Sequence, residues 1–233
     1  LLNSPNNPTG KVFKREELMQ IAQLAQDHDF IVMTDEVYEE LVYAPSRHEP
    51  LASLPGMRER TVLVSSTSKT FSMTGWKVGY AFAPIALTKL IRIPHQYTVF
   101  CSATPLQVGM IQALRLGREY YADLRADYEL RRQALFNILQ SCGFQCQLPQ
   151  GTYFIVANHQ SLLDIPDTEF ANFLTKEVGV ACIPVSAFYS DPEESSKSSR
   201  WVRFGFCKDI ATIEAAGDRL KAKLKGAVEK FHG

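Results

Sequence analysis

The chain alternates between two hydrophobic periods. From Lys14 to His28, Leu18, Ile21, Ala22 and Ala25 recur at i, i+3, i+4 and i+7, which predicts an amphipathic helix with one buried stripe. Phe30-Ile31-Val32-Met33-Thr34, Thr61-Val62-Leu63-Val64-Ser65 and Val78 to Ala83 are short apolar runs without that period. Such runs suit strands buried on both faces. Strands separated by helical stretches predict an α/β domain, a mostly parallel sheet with flanking helices. Thr104 to Leu116 and Tyr120 to Leu139 read as two helices, or as one long kinked element.

After Gly143 the pattern changes. Strands are expected at Phe144 to Leu148, Thr152 to Ala157, Val180 to Val185 and Trp201 to Cys207. One helix, Thr168 to Val178, interrupts them, and a last helix runs from Ile210 to Phe231. This second part is α+β in character. Asp191 to Ser199, rich in Ser, Glu and Lys, reads as a solvated loop. The change of pattern sets a boundary near Asp123, giving a partial larger domain over 1–122 and a smaller C-terminal domain over 123–233.

Composition narrows the function. The 233 residues carry 25 Lys+Arg and 25 Asp+Glu, with 45% hydrophobic positions. That apolar content excludes a disordered polyampholyte. The zero formal charge argues against a nucleic-acid partner held by bulk positive charge. No apolar run approaches the roughly 20 residues of a bilayer span, so no membrane partner is expected. Five cysteines without a C-x-x-C, and five histidines without ligand spacing, argue against a disulfide framework and a metal site. A reducing, cytoplasmic setting is expected. The opening Leu1-Leu2-Asn3-Ser4-Pro5 reads like a strand cut short, as in a piece of a longer protein.

Open parallel sheets place their chemistry at the carboxyl ends of strands. Three predicted strand ends carry polar residues: Asn3-Ser4-Pro5-Asn6-Asn7-Pro8-Thr9-Gly10, Asp35-Glu36-Val37-Tyr38 and Ser65-Ser66-Thr67-Ser68-Lys69. Each has an ordinary reading alone. The first could be a turn, Asp35 a helix N-cap and the third an exposed loop. Their order and shared position at strand ends bring an amide, a carboxylate, a phenol and a lysine to one rim.

Asn-Asn-Pro-Thr-Gly, Asp-Glu-Val-Tyr, the run from Ser65 to Tyr80 and Trp-Val-Arg-Phe-Gly-Phe together resemble the fold-type I, class I pyridoxal-phosphate aminotransferases. Met73 to Tyr80, with His95-Gln96-Tyr97 downstream, looks most similar to their kynurenine/glutamine/methionine branch. The resemblance covers essentially the whole chain and lacks the family's N-terminal third. It makes 1–122 a partial cofactor-binding domain and implies pyridoxal 5'-phosphate as cofactor. With that third missing, the chain alone is expected to expose an apolar patch, bind cofactor weakly and turn over little.

The resemblance also assigns roles. Lys69 would form the Schiff base and move a proton at the substrate Cα. Asp35 would hold the pyridine nitrogen protonated. Tyr38 and Asn7 would hydrogen-bond the phenolic oxygen, with Tyr38 counted among the catalytic residues. Ser66 and Lys77 would bind the phosphate, Lys77 as a point charge where many relatives have an arginine fork. Arg203 would take the substrate carboxylate as a bidentate pair, with Asn7 touching the same group. Read alone, Arg203 could be an edge-strand surface charge. Phe100 would line the substrate pocket, typically that of a partner subunit, or else pack in the core.

The activity so implied is amino transfer between an L-α-amino acid (methionine, glutamine or an aromatic/kynurenine type) and a 2-oxo acid, in a homodimer. Two alternatives use the same residues or fold: a β-lyase acting on cysteine S-conjugates, and an aminotransferase-like sensor domain of a transcription regulator. A nucleotide-dependent dehydrogenase is disfavoured, because neither G-x-G-x-x-G nor G-x-x-x-x-G-K-[ST] occurs.

Overall fold

The computed structural model describes residues 1–197 and 199–232. The chain divides into two compact units. The first comprises Leu1–Asn6, Lys11–Arg125 and Gln150–Thr152; the second comprises Asn7–Gly10, Ala126–Pro149 and Tyr153–Gly233.

In the first unit, strands β1 (Leu2–Asn3), β2 (Val32–Asp35), β3 (Thr61–Ser66) and β4 (Gly79–Phe82) lie side by side in that order. β1, β2 and β3 are mutually parallel, whereas β4 joins β3 antiparallel. The mostly parallel α/β sheet is therefore present, with a reversed edge. Only a short connection separates β3 from β4: helix α2 (Thr67–Thr70) and a 3₁₀ turn at Thr74–Trp76. The one α-helix in that link is a single turn, about 6 Å long, too short to carry the chain back along the sheet as a βαβ crossover helix does.

Helix α1 (Arg15–Asp27) forms where the hydrophobic stripe lies. Glu17 caps its first turn by accepting from the Lys14 backbone N–H at 2.8 Å. Leu18, Ala22 and Ala25 are buried with Val32, Leu51, Leu54 and Met57, and Leu2, Phe13 and Ile21 pack against that cluster. β2 is not covered on both faces. Val32 and Thr34 are buried while Met33, between them, is exposed, and on β4 Phe82 is 66% exposed. β2 and β4 thus reflect strand propensity with a one-sided core, whereas on β3 the neighbours Thr61 and Val62, which face opposite ways, are both buried.

Helix α3 (Ile85–Thr98) is an element the sequence reading does not place, although its apolar positions recur with helical period. It carries Pro94 inside, and among the described residues none of its side chains is buried. Ile85, Leu90, Ile93 and Tyr97 lie exposed along it. Helices α4 (Thr104–Leu114) and α5 (Arg118–Ser141) are separate elements.

In the second unit, β5 (Gln145–Cys146), β6 (Phe154–Asn158), β7 (Ile183–Pro184) and β8 (Trp201–Gly205) form an antiparallel sheet in the order β5-β6-β8-β7. Helix α6 (Asp167–Phe173) continues as a π-helical turn over Leu174–Val178, ended by Gly179 at φ 81°. The stretch read as a loop instead contains a short helix, α7 (Pro192–Lys197); Ser198 lies outside the described residues. Helix α8 (Ile210–His232) closes the chain.

Aromatic rings fill this core. Phe144 meets Phe204 edge-on at 5.4 Å and Phe170 at 6.0 Å. The fully buried His159 stacks on Phe170, with centroids 3.9 Å apart. One ring nitrogen, Nδ1, meets the Leu163 carbonyl at 3.1 Å, and Nε2 has no partner among the described residues. Burial lowers the His159 pKa below the ordinary imidazole value; Leu163 and Asp167 oppose the shift, and Arg200 adds to it. The unfolded chain therefore binds a proton that the folded one refuses. Stability contributed by neutral His159 is present above about pH 6.5 and is lost as pH falls through it. Thermal unfolding should show the second unit weakening from pH 7 to pH 5, and His159→Phe should flatten that slope. An unchanged slope in the variant would assign the acid sensitivity to other groups.

Candidate active site

The parallel strands β1, β2 and β3 end on one side of the first unit's sheet. Asn3 registers with Asp35, and Asp35 with Val64, so three strand ends stand in one row. Neighbouring strands lie about 4.8 Å apart. The turn bearing Asp35 and Tyr38 thus adjoins the strand that runs into Ser66 and Lys69.

Asp35 is held through its backbone. Its carbonyl accepts from Asn3 Nδ2 at 3.0 Å and from the Ser4 N–H at 3.1 Å. Its carboxylate oxygen Oδ1 accepts from the Val37 N–H at 3.3 Å, an Asx-type turn and not a helix cap. The Glu36 N–H donates to the Val64 carbonyl at 2.9 Å, prolonging the ladder by one step past β2. Tyr38 is 4% exposed.

Lys69 sits half-buried in α2. The Ser66 hydroxyl caps this short helix by accepting from the Ser68 N–H at 3.1 Å. Val78, beside Lys77, accepts from Thr67 Oγ1 at 2.8 Å and from Ser66 Oγ at 3.2 Å. Lys77 itself is exposed and left-handed, at φ 55°. Tyr120, from α5, donates its hydroxyl to the Thr70 carbonyl at 2.7 Å and stacks on Phe71, bracing the turn just after Lys69. Gly79 opposes Ser66 across the β3–β4 pair, and a Cβ there would come within 2.9 Å of the Ser65 carbonyl. That close approach requires glycine.

In the second unit, Arg203 lies on β8, paired with Val156 of β6 and Ile183 of β7. β8 is an interior strand, so Arg203 is not an edge charge. Its guanidinium donates to Asn7 Oδ1, lies 3.9 Å from the Phe154 ring centroid and 4.8 Å from that of Phe188. A guanidinium stacked on one ring and flanked by another has a fixed plane, as a bidentate carboxylate partner needs. Phe100 is 74% exposed at φ 66°, which excludes core packing within this chain.

Three residues around the Asp35 turn escaped the motif reading. Glu36 is 2% exposed; its carboxylate accepts from Thr34 Oγ1 at 2.8 Å and meets His48 Nε2 at 2.7 Å. Strand alternation was the available signal, since it puts Thr34 and Glu36 on the face opposite Asp35. Glu39 accepts from Ser65 Oγ at 3.0 Å and from the Tyr80 hydroxyl at 2.9 Å through one oxygen. Burial pushes the Glu39 carboxyl pKa up, opposed by those two donors, and burial drives the Tyr80 phenol to about 12. Glu36, Glu39 and His48 each bring one donor atom within 4.8 Å of the others. Among the described residues, no helix is long and apolar enough to cross a membrane.

The family model "Aminotransferase class I and II" matches residues 1–220. Mouse (Mus musculus) kynurenine–oxoglutarate transaminase 1 is 40% identical over 238 residues, covering 94% of this chain and 56% of that protein. The solved N-succinyldiaminopimelate aminotransferase from Mycobacterium tuberculosis superposes with a TM-score of 0.89 at 41% identity, over 94% of this chain and 56% of that one. An Escherichia coli protein, YbdL, whose structure was described with a methionine aminotransferase function, gives 0.87 at 37% identity, over 94% of this chain and 56% of its own. The chain spans about half the length of the curated relatives it matches.

Proposed function

Because the chain belongs to the class I and II aminotransferase family, we propose that it forms part of a pyridoxal-phosphate enzyme. In this reading the enzyme moves an amino group between an L-α-amino acid and a 2-oxo acid. The observation that carries it is the register that sets the Asp35–Tyr38 turn beside the β3 end leading to Ser66 and Lys69. The donor set suits the cofactor: a carboxylate and a phenol on one strand end, a hydroxyl and an amine on the next. When bound, the cofactor supplies a ring that accepts the electron pair left on the substrate Cα.

Each residue then has a task of its own. The Asp35 carboxylate keeps a proton on the ring nitrogen, and the Asx turn fixes where that carboxylate points. Lys69 is the covalent anchor and the base that carries a proton to and from Cα. Tyr38 donates to the phenolic oxygen. Ser66 and Lys77 bind phosphate, Ser66 by turning its hydroxyl from its present partners and Lys77 as an ammonium charge. Arg203, with Asn7, takes the substrate carboxylate, and Phe100 contributes apolar surface to the substrate site.

Among substrates, kynurenine-type aromatic amino acids, methionine and glutamine are the proposed donors. Support comes from relatives named kynurenine–oxoglutarate transaminases and from the neighbour described with methionine aminotransferase function. A homodimer in a cytoplasmic setting completes the proposal. A panel of amino donors with 2-oxoglutarate, given to the whole enzyme of which the chain forms part and followed by loss of the cofactor's visible absorbance band and by oxo-acid product, tests it. Oxo acid formed from kynurenine, methionine or glutamine is the expected result. Release of pyruvate and thiol from cysteine S-conjugates, without amino transfer, would overturn it in favour of a lyase.

A further inference from the structure

Glu39 stands where three elements meet, and each of them leads to a candidate residue. Its own segment is the turn after β2, closed by the Glu39 N–H donating to the Glu36 carbonyl at 2.9 Å, and it contains Tyr38 and follows Asp35. Ser65, on β3, lies four residues before Lys69 and is buried. Tyr80, on β4, is the register partner of Ser65. Both donate to Glu39 Oε1, so one carboxylate oxygen ties the turn to both members of the strand pair. At the start of the same turn, Glu36 is fixed by Thr34 and His48. The segment from 36 to 39 is thereby pinned at both ends by carboxylates, with Tyr38 between those pins and Asp35 immediately before the first.

We propose that Glu39 is a positioning residue, which locks the Asp35–Tyr38 turn in register with the strand leading to Lys69. The inference rests on the cofactor reading above and goes beyond it, because Glu39 itself is given no contact with cofactor or substrate. Tyr80 is suited to its part: its raised phenol pKa, about 12, keeps it a donor throughout the working range. Without the carboxylate, Ser65 and Tyr80 lose a shared acceptor, and the far end of the turn loses its side-chain tie to β3, leaving the Glu36 N–H to Val64 carbonyl bond at its start. The register still places Asp35, but Tyr38 is then held less tightly beside the strand that leads to Lys69.

The test compares wild type, Glu39→Ala, Glu39→Gln and Tyr80→Phe as holoproteins. It reads pyridoxal-phosphate affinity, the pH midpoint of the cofactor's visible band, and amide hydrogen exchange at residues 35–38 in the cofactor-free protein. Glu39→Ala is expected to weaken affinity roughly tenfold, the scale of one hydrogen bond to a charged group. It should also move the pH midpoint and speed exchange in the turn. Glu39→Gln keeps a carbonyl acceptor for both donors and should restore most of each effect, and Tyr80→Phe should fall between. If Glu39→Ala does not fold, Tyr80→Phe decides by the same midpoint. Variants that melt earlier but keep the wild-type midpoint and affinity would overturn the proposal, because a purely structural role leaves the cofactor's surroundings unchanged. Borohydride treatment of wild type separates the two readings. If no cofactor is trapped on Lys69, both fail; if it is trapped and every variant matches wild type, this inference alone fails.

Discussion

Lys69→Ala is expected to abolish borohydride-trapped pyridoxal phosphate and to lower turnover by roughly a thousandfold or more. Two losses combine. The amine is the proposed anchor, and it is also the proposed proton carrier at Cα. A base placed by the fold contributes about 10²–10⁴-fold to a rate. Folding should change little. The turn around residue 69 is held by main-chain and neighbouring bonds, such as Phe71 N–H to the Thr67 carbonyl and the Tyr120 hydroxyl to the Thr70 carbonyl, which do not involve the lysine side chain. A cooperatively folded variant with no adduct is the predicted pair of results. An adduct still trapped in the variant would move the anchor to another lysine.

Arg203→Lys should leave the positive charge and remove the recognition. The guanidinium lies over Phe154, beside Phe188, and donates to Asn7. A lysine ammonium has neither the plane to stack nor the fork to hold both carboxylate oxygens. Losing one of two charge-assisted bonds, together with the stacking, costs about 2–3 kcal/mol. That corresponds to a rise in amino-acid KM of roughly 30- to 150-fold, with kcat falling less. Cofactor trapping on Lys69 should be unaffected. A variant with wild-type KM for both amino acid and oxo acid would remove Arg203 from the carboxylate site.

The elements legible in the chain were those whose burial is one-sided and periodic. α1 buries Leu18, Ala22 and Ala25, so its stripe and its period coincide. α3 is also periodic, but Pro94 within it reads as a helix breaker, and none of its side chains is buried among the described residues. The direction of β4 was hidden for a different reason: an apolar run has no polarity, and the link over 67–78 is long enough for either direction. β2 was over-read as doubly buried, because exposed Ile31 and Met33 are as apolar as their buried neighbour Val32.

The candidate site followed the same logic. Asp35 and Lys69 could be named because strand ends and short motifs carry them. Glu36 and Glu39 looked like further polar turn residues. Their partners are remote in sequence: His48 is 12 residues from Glu36, and Tyr80 is 41 from Glu39. Alternation from Thr34 points to burial of Glu36, but only folded geometry shows which groups satisfy the two acids. Arg203 was ambiguous for a related reason, since β8 is interior only because the two-residue strand β7 pairs along its outer side.

The segment Gln150–Thr152 belongs to the first unit although it follows α5 and β5 in sequence. It acts as a strap. The Gln150 carbonyl accepts from the Tyr43 N–H at 3.0 Å, the Thr152 N–H donates to the Leu41 carbonyl at 2.8 Å, and the buried Tyr43 hydroxyl donates to the Thr152 carbonyl at 2.7 Å. Gly151 presses so close to Pro5, Val12 and Leu41 that an added Cβ would fall within 3.0 Å of each. A gene truncated at codon 122 would therefore not release a self-contained half. It would strip the backing from Leu41 and Tyr43, leave a buried phenol without its acceptor, and yield a product prone to misfolding.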